Sequence, residues 1–110
     1  MNEVLINGKT IVIPNEILFC IADENYTRIY FTGNRTKIVP ITLKNIEMIL
    51  QHYSFFRIHK SYLVNLQHIL DNTERFEVEM VNNRSLTISR RKVAKFRRIM
   101  KEKKSLLKQS

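Results

Sequence analysis

Asn7-Gly8 separates two short β-prone runs, Val4 to Ile6 and residues 9–13, and brief apolar runs cut by turn residues recur along most of the chain. Asn-Gly supplies the positive φ angles that a two-residue hairpin turn needs, so the pair predicts a hairpin, which Pro14 then ends. Residues 17–21, Ile-Leu-Phe-Cys-Ile, form a near-continuous apolar run of strand length, suited to a strand covered on both faces. After the polar break Asp23-Glu24-Asn25, residues 26–31 and 37–41 read as strands joined through Thr32-Gly33-Asn34-Arg35. Pro40 has no backbone donor, so the second of these lies at an edge or ends there. Residues 55–70 read as strand, tight turn at His59-Lys60-Ser61, strand, and residues 76–80 and 86–88 as a hairpin around Asn82-Asn83. A chain punctuated in this way folds into small antiparallel sheets.

Two segments change period. Thr42 predicts a cap for a short helix over residues 43–51, in which Leu43, Ile46, Ile49 and Leu50 share one face. Lys44 is the one cation among its exposed positions, so this helix is read as core packing rather than recognition. After Ile88, Ser89 predicts a cap for a terminal helix with an apolar stripe of Val93, Phe96, Ile99 and Met100 and a surface of Arg and Lys. The expected class is therefore mostly β (α+β), with one short internal helix and a C-terminal helix. The 110 residues, 44% of them apolar, suffice for one modest core, and two Gly and two Pro leave no room for a linker. One domain over residues 1–104 is expected, with fraying past Met100 and residues 105–110 as a frayed basic tail.

The distribution of charge narrows the partner. Residues 84–110 carry eleven Lys or Arg against one acid, Glu102, for a net of +10, whereas residues 1–83 have a net of −1. Such segregation points to a polyanion, either nucleic acid or an anionic membrane surface. No apolar run is long enough to cross a bilayer and residues 1–9 lack a basic stretch followed by an apolar one, so a cytoplasmic location is expected. Catalysis finds little support. His52, His59, His68 and Cys20 have no metal-ligand spacing, no Gly-rich loop cradles a phosphate, and neighbouring His59, Lys60 and Ser61 do not amount to a nucleophile and base. Neither an enzyme activity, a cofactor, a metal nor a small-molecule substrate is expected, and Cys20 reads as a buried small hydrophobe.

Two segments carry the binding chemistry. In Phe55-Phe56-Arg57-Ile58-His59-Lys60-Ser61-Tyr62-Leu63-Val64-Asn65, strand alternation puts Phe56 and Ile58 inward and Arg57 outward, and the polar trio forms a stiff turn. Lys60 and His59 at its tip can donate to phosphate oxygens or base edges, while His59 and Ser61 can equally well satisfy backbone groups of the turn. In Leu86-Thr87-Ile88-Ser89-Arg90-Arg91-Lys92-Val93, a strand delivers three cations into the first turn of a helix, against the preference of helix N-termini for acids. A phosphate removes that conflict, and Arg can also grip a guanine edge through two parallel hydrogen bonds.

The run Phe56-Arg57-Ile58-His59-Lys60-Ser61-Tyr62-Leu63-Val64-Asn65 resembles the central signature of LytTR domains, the DNA-binding output domains of bacterial transcription regulators. Residues 17–19 followed by Asn25-Tyr26, the helix over 43–50 and residues 86–96 fall in that family's order, so the resemblance covers roughly residues 3 to 100. It implies small antiparallel sheets that bind double-stranded DNA through loops in successive major grooves and on the phosphates between them, bending the DNA at paired direct repeats in promoters. Carried over by position, it implies base reading by Lys60, by Arg91 and, in a first loop, by Asn25, Tyr26 or Thr27. His59, Ser61, Arg90, Arg57 and Lys92 match phosphate-contacting or loop-supporting positions, and Asn65 reads as structural. It implies pairs of copies on DNA, and a receiver domain or membrane regulatory partner not present in this chain. The competing reading is nonspecific nucleic-acid (RNA) binding by a small basic protein, and it is disfavoured because Phe55, Phe56, Phe76 and Tyr62 fall where strands need core. Docking through the last helix is disfavoured because Phe96 and Met100 pack more simply on a sheet.

Overall fold

The computed structural model describes residues 2–71 and 76–109, and for Asp71 and residues 104–109 the backbone alone. Strands β1 (Val4–Ile6) and β2 (Thr10–Val12) form the first hairpin, with Asn7 and Gly8 at φ 46° and 75° as the Asn-Gly turn demands. A 3-10 turn at Pro14–Glu16 leads into β3 (Ile17–Asp23), which pairs with β4 (Tyr26–Phe31), and β4 with β5 (Arg35–Val39). Helix α1 (Leu43–Ile49) follows, its N-terminus capped by the Thr42 hydroxyl, which accepts from the Asn45 N–H at 3.4 Å. Strands β6 (Phe55–His59) and β7 (Tyr62–Asn65) complete a sheet ordered β5-β4-β3-β7-β6. Strands β8 (Ile69–Asp71), β9 (Glu77–Met80) and β10 (Ser85–Thr87) form a separate sheet, ordered β10-β9-β8, and α2 spans Val93–Gln109.

The apolar run at 17–21 occupies the centre of the larger sheet, and its side chains are divided between two cores. Ile17 and Cys20 join Ile6, Val12, Ile29, Phe31, Leu43, Ile46, Leu50 and Leu63 on one face, under the β1–β2 hairpin and α1. Leu18 and Phe19 join Ile58, Val64, Val78, Met80, Leu86, Ile88, Val93 and Phe96 on the other, under the small sheet and α2. A strict alternation cannot send two consecutive residues to one face. The register shift between Ile17 and Phe19 does so, by leaving Leu18 as the extra residue of a bulge.

Two expectations need correction. Residues 55–70 do not hold one strand after the turn: β7 stops at Asn65, a 3-10 turn covers Leu66–His68, and β8 belongs to the other sheet. Asn65, 2% exposed, forces this break. Its Nδ2 donates to the carbonyls of Ile17 at 2.9 Å and Pro14 at 3.3 Å, while its Oδ1 accepts from the Gln67 N–H at 3.0 Å. Second, Ser89 precedes a 3-10 turn, Arg90–Lys92, but its side chain makes no cap; the Lys92 N–H instead bonds to the Ser89 carbonyl at 2.8 Å. The backbone of α2 runs as helix to Gln109, where neither Gly nor Pro follows Pro40 and residues 101–109 are mostly good helix formers. Lys103 is tied down rather than free. Its Nζ donates to the Leu66 carbonyl at 2.6 Å, and partial burial lowers its pKa.

Asn65→Ala leaves two buried carbonyls and one N–H without their side-chain partner. Urea denaturation should therefore show a loss of about 2 to 4 kcal/mol in unfolding free energy; a loss under about 0.5 kcal/mol would mean that water replaces the amide and that Asn65 does not fix the strand break.

Candidate nucleic-acid interface

The pairing of β3 with β7 runs through Phe19↔Val64, Cys20↔Leu63 and Ile21↔Tyr62, and the Ala22 N–H extends it by donating to the Ser61 carbonyl at 2.9 Å. The β3–β4 tip, Glu24-Asn25, and the β6–β7 tip, Lys60-Ser61, therefore lie at the same end of the sheet. A third segment joins them along the edge strand, where the Ser89 N–H donates to the Ile58 carbonyl at 2.8 Å and so places Arg90–Lys92 beside β6. With strands about 4.8 Å apart, the three segments form a row roughly 15 to 20 Å long.

Within this row the side chains have different freedoms. Arg57 does not reach outward as a free cation: its Nε donates to the His59 carbonyl at 3.3 Å, its second terminal nitrogen to the Lys60 carbonyl, and its Nη1 pairs with Glu47 Oε1 of α1 at 3.1 Å. The His59 Nδ1 accepts from the Ser61 N–H at 3.0 Å, which requires that nitrogen to be unprotonated, and the ring lies 5.0 Å from Tyr62. Arg90 stacks over the Phe76 ring at 4.9 Å, and Lys92 and Lys95 sit 5.7 and 5.9 Å from the Phe56 ring. Arg84, the first of the C-terminal cations, is stacked over Tyr30 at 5.0 Å and Phe19 at 5.7 Å.

Lys60 and Arg91 differ from these. Both are exposed, and among the described residues neither side chain has a hydrogen bond, ion pair or ring contact. In the first loop Tyr26 is half exposed and Asn25 lies in the turn, but Thr27 must be withdrawn from the candidates. It is 0% exposed and points into the α1 core, where its hydroxyl donates to the Ile41 carbonyl at 2.7 Å. A strand alternates faces, so Tyr26 and Thr27 cannot both look outward.

Arg28 escaped the sequence reading. The pairs Arg28↔Ile21, Ile21↔Tyr62 and Tyr62↔His59 place it in one cross-sheet row with the His59 ring, on the face beside Arg90–Lys92. The signal was present in the alternation of Tyr26, Arg28 and Tyr30, but only the β3–β7 register connects that face to the signature turn.

Cys20 is fully buried, and burial pushes its thiol up to about 12. His68 donates a ring N–H to the Asn15 carbonyl at 2.6 Å. Among the described residues no three His, Cys, Asp or Glu side chains converge as a metal-binding group.

Cations gathered at one end of a mostly β domain fit a polyanionic partner, and comparison with known proteins gives the class, a DNA-binding domain. Residues 8–101 match the family of LytTr DNA-binding domains. The chain belongs to the LytTR family, as the signature around His59 implied. Over 72 residues it is 35% identical to the sensory transduction protein LytT of Oceanobacillus iheyensis, an alignment covering 64% of this chain and 29% of that protein. The chain thus spans less than a third of the length of the curated relative it matches. Its fold superposes with a TM-score of 0.70 on the LytTr DNA-binding domain of a Bacillus cereus protein described as a methyl-accepting/DNA response regulator, at 22% identity and over 90% of this chain and 94% of that one.

The raised pKa of Cys20 has a testable sign. Between the ordinary thiol value of 9.0 and about 12, the unfolded chain has lost a proton that the folded chain keeps. Folding stability contributed by this group is therefore complete below pH 9 and declines as pH rises through that window. Iodoacetamide at pH 8 should leave Cys20 unmodified in the folded protein and alkylate it in urea; modification at equal rates in both would contradict the buried, protonated thiol.

Proposed function

We propose that this domain regulates transcription by reading promoter DNA with the three segments at one end of its larger sheet. Lys60 and Arg91 contact base edges, Asn25 or Tyr26 reads from the first tip, and His59, Ser61, Arg90, Lys92 and Arg28 hold phosphates or support the loops. The observation that carries this reading is a contrast within the β6–β7 tip and the 3-10 turn: Arg57, Arg90 and Lys92 are bonded or stacked, whereas the Lys60 and Arg91 heads are exposed and unpartnered among the described residues. A guanidinium with all its donors unused can grip a guanine edge, and phosphate contacts on either side fix its register.

The segments enter successive major grooves, and two copies bind paired direct repeats. One domain, residues 1–104, carries this activity, under the control of a receiver domain or membrane partner outside the chain. The cytoplasm is the compartment where promoter DNA is met, and among the described residues no helix is long and apolar enough to cross a membrane. Nonspecific binding through base stacking is the weaker reading. Phe55 and Phe76 are half-buried in the packing, and the Phe56 ring lies 5.9 Å from Phe96.

Selection from a random duplex pool should return phased, repeated half-sites; recovery of no motif would overturn sequence-specific reading. On the selected duplex, Arg91→Ala should cost about 1 to 3 kcal/mol and relax preference at one base position. Wild-type affinity should fall on the order of a thousandfold between about 50 and 200 mM salt, because roughly six or more phosphates are neutralised. Equal loss on selected and scrambled duplexes would make Arg91 a phosphate contact instead.

A further inference from the structure

Arg57 lies one strand step from the turn it holds, and its guanidinium engages three acceptors at once. Two are consecutive carbonyls of the β6–β7 tip, those of His59 and Lys60, and the third is the Glu47 carboxylate on α1. The bulge between Arg57 and His59 bends β6 at this point, so the two carbonyls fall within reach of one planar fork. The opposite side of the tip is closed by the bond from the Ser61 N–H to the His59 Nδ1. The backbone on both sides of Lys60 is thus fixed, while its side chain carries no contact of its own among the described residues.

We propose that Glu47 and Arg57 are positioning residues for base reading by Lys60: Glu47 orients the Arg57 fork, and the fork sets the direction in which Lys60 leaves the tip. This rests on the reading of Lys60 as a base contact. It assigns to α1, which packs on the far core, a part in DNA recognition that neither its burial nor its charge suggests. The Glu47 side chain is 45% exposed and that of Arg57 21%, so solvent on the carboxylate side screens the pair and its contribution to stability is small. A carboxylate that matters little for folding can still matter for where a guanidinium points. Lys at position 57 cannot replace the fork, since a single ammonium does not present the planar, fixed set of donors that meets two carbonyls and a carboxylate.

The test is a double-mutant cycle on the duplex selected by the wild-type protein, with thermal melting of each variant as a check on folding. Glu47→Gln and Arg57→Lys should each leave the melting temperature nearly unchanged and reduce the preference for selected over scrambled duplex by about threefold to tenfold. In a Lys60→Ala background the same substitutions should have no further effect on that preference. Full losses that persist in the Lys60→Ala background would overturn the proposal, because the pair would then act on the fold at large. If Lys60→Ala leaves the preference intact while Glu47→Gln lowers it, the proposal also fails, and so does the assignment of Lys60 as a reader, but DNA binding by the domain stands. If all single variants bind like the wild type while Arg91→Ala does not, the clamp is inert and the rest of the interface is unaffected.

Discussion

Everything at the proposed interface depends on the antiparallel pairing of β3 with β7. These strands are separated by three further strands and a helix in sequence, yet their register places the Glu24-Asn25 and Lys60-Ser61 tips at one end of the sheet. The pairing is possible because β3 can be buried on both faces. Its bulge at Leu18 divides a continuous apolar run between two cores, one closed by α1 and the hairpin and the other by α2 and the small sheet. Phe19, Cys20, Leu63 and Val64 are all 0% exposed at the pairing itself, so the register is held by burial on either side and not by turn chemistry alone.

The same packing sorts a crowded set of cations. A net of +10 in the last 27 residues is a self-repelling charge distribution if every head is free. Aromatic rings take up several: Tyr30 and Phe19 under Arg84, Phe76 under Arg90, and Phe56 beside Lys92 and Lys95. A cation held over a ring face keeps its charge but loses rotamer freedom, so it becomes a fixed element of the field rather than a flexible arm. Lys103 is committed to the Leu66 carbonyl and fastens α2 to the connection between the two sheets. Within the 3-10 turn Arg91 is the cation left exposed and unstacked, and the three cations of that turn have no acid in the first turn of α2 to offset them. An anion at this position relieves both the helix dipole and the mutual repulsion.

Much of the architecture was legible because it rests on local chemistry. Asn7-Gly8 fixed a hairpin, Thr42 capped α1, Pro40 followed the end of an edge strand, and the polar trio after Ile58 made a turn. What could not be read depends on contacts distant in sequence. The break at Asn65 follows from carbonyls about fifty residues upstream, at Pro14 and Ile17. Arg57 looked like an outward cation because nothing in its neighbourhood names Glu47 as a partner, ten residues away on a helix. Thr27 looked available because the first loop could be slid by one residue, and a one-residue slip exchanges the two faces of a strand; the pair Ala22↔Thr27 and the bond to Ile41 settle its face.

The central claim is that the β3–β4 tip, the β6–β7 tip and the turn at Arg90–Lys92 form one continuous DNA-contacting surface. Its most direct test is a titration of isotope-labelled protein with the selected duplex, followed through the backbone amide resonances. The largest shifts are expected at residues 24–26, 59–61 and 89–92, all moving with a single affinity, while the β1–β2 hairpin stays unperturbed. Shifts confined to the outer surface of α2 or to the hairpin, with Lys60 and Arg91 silent, would contradict it.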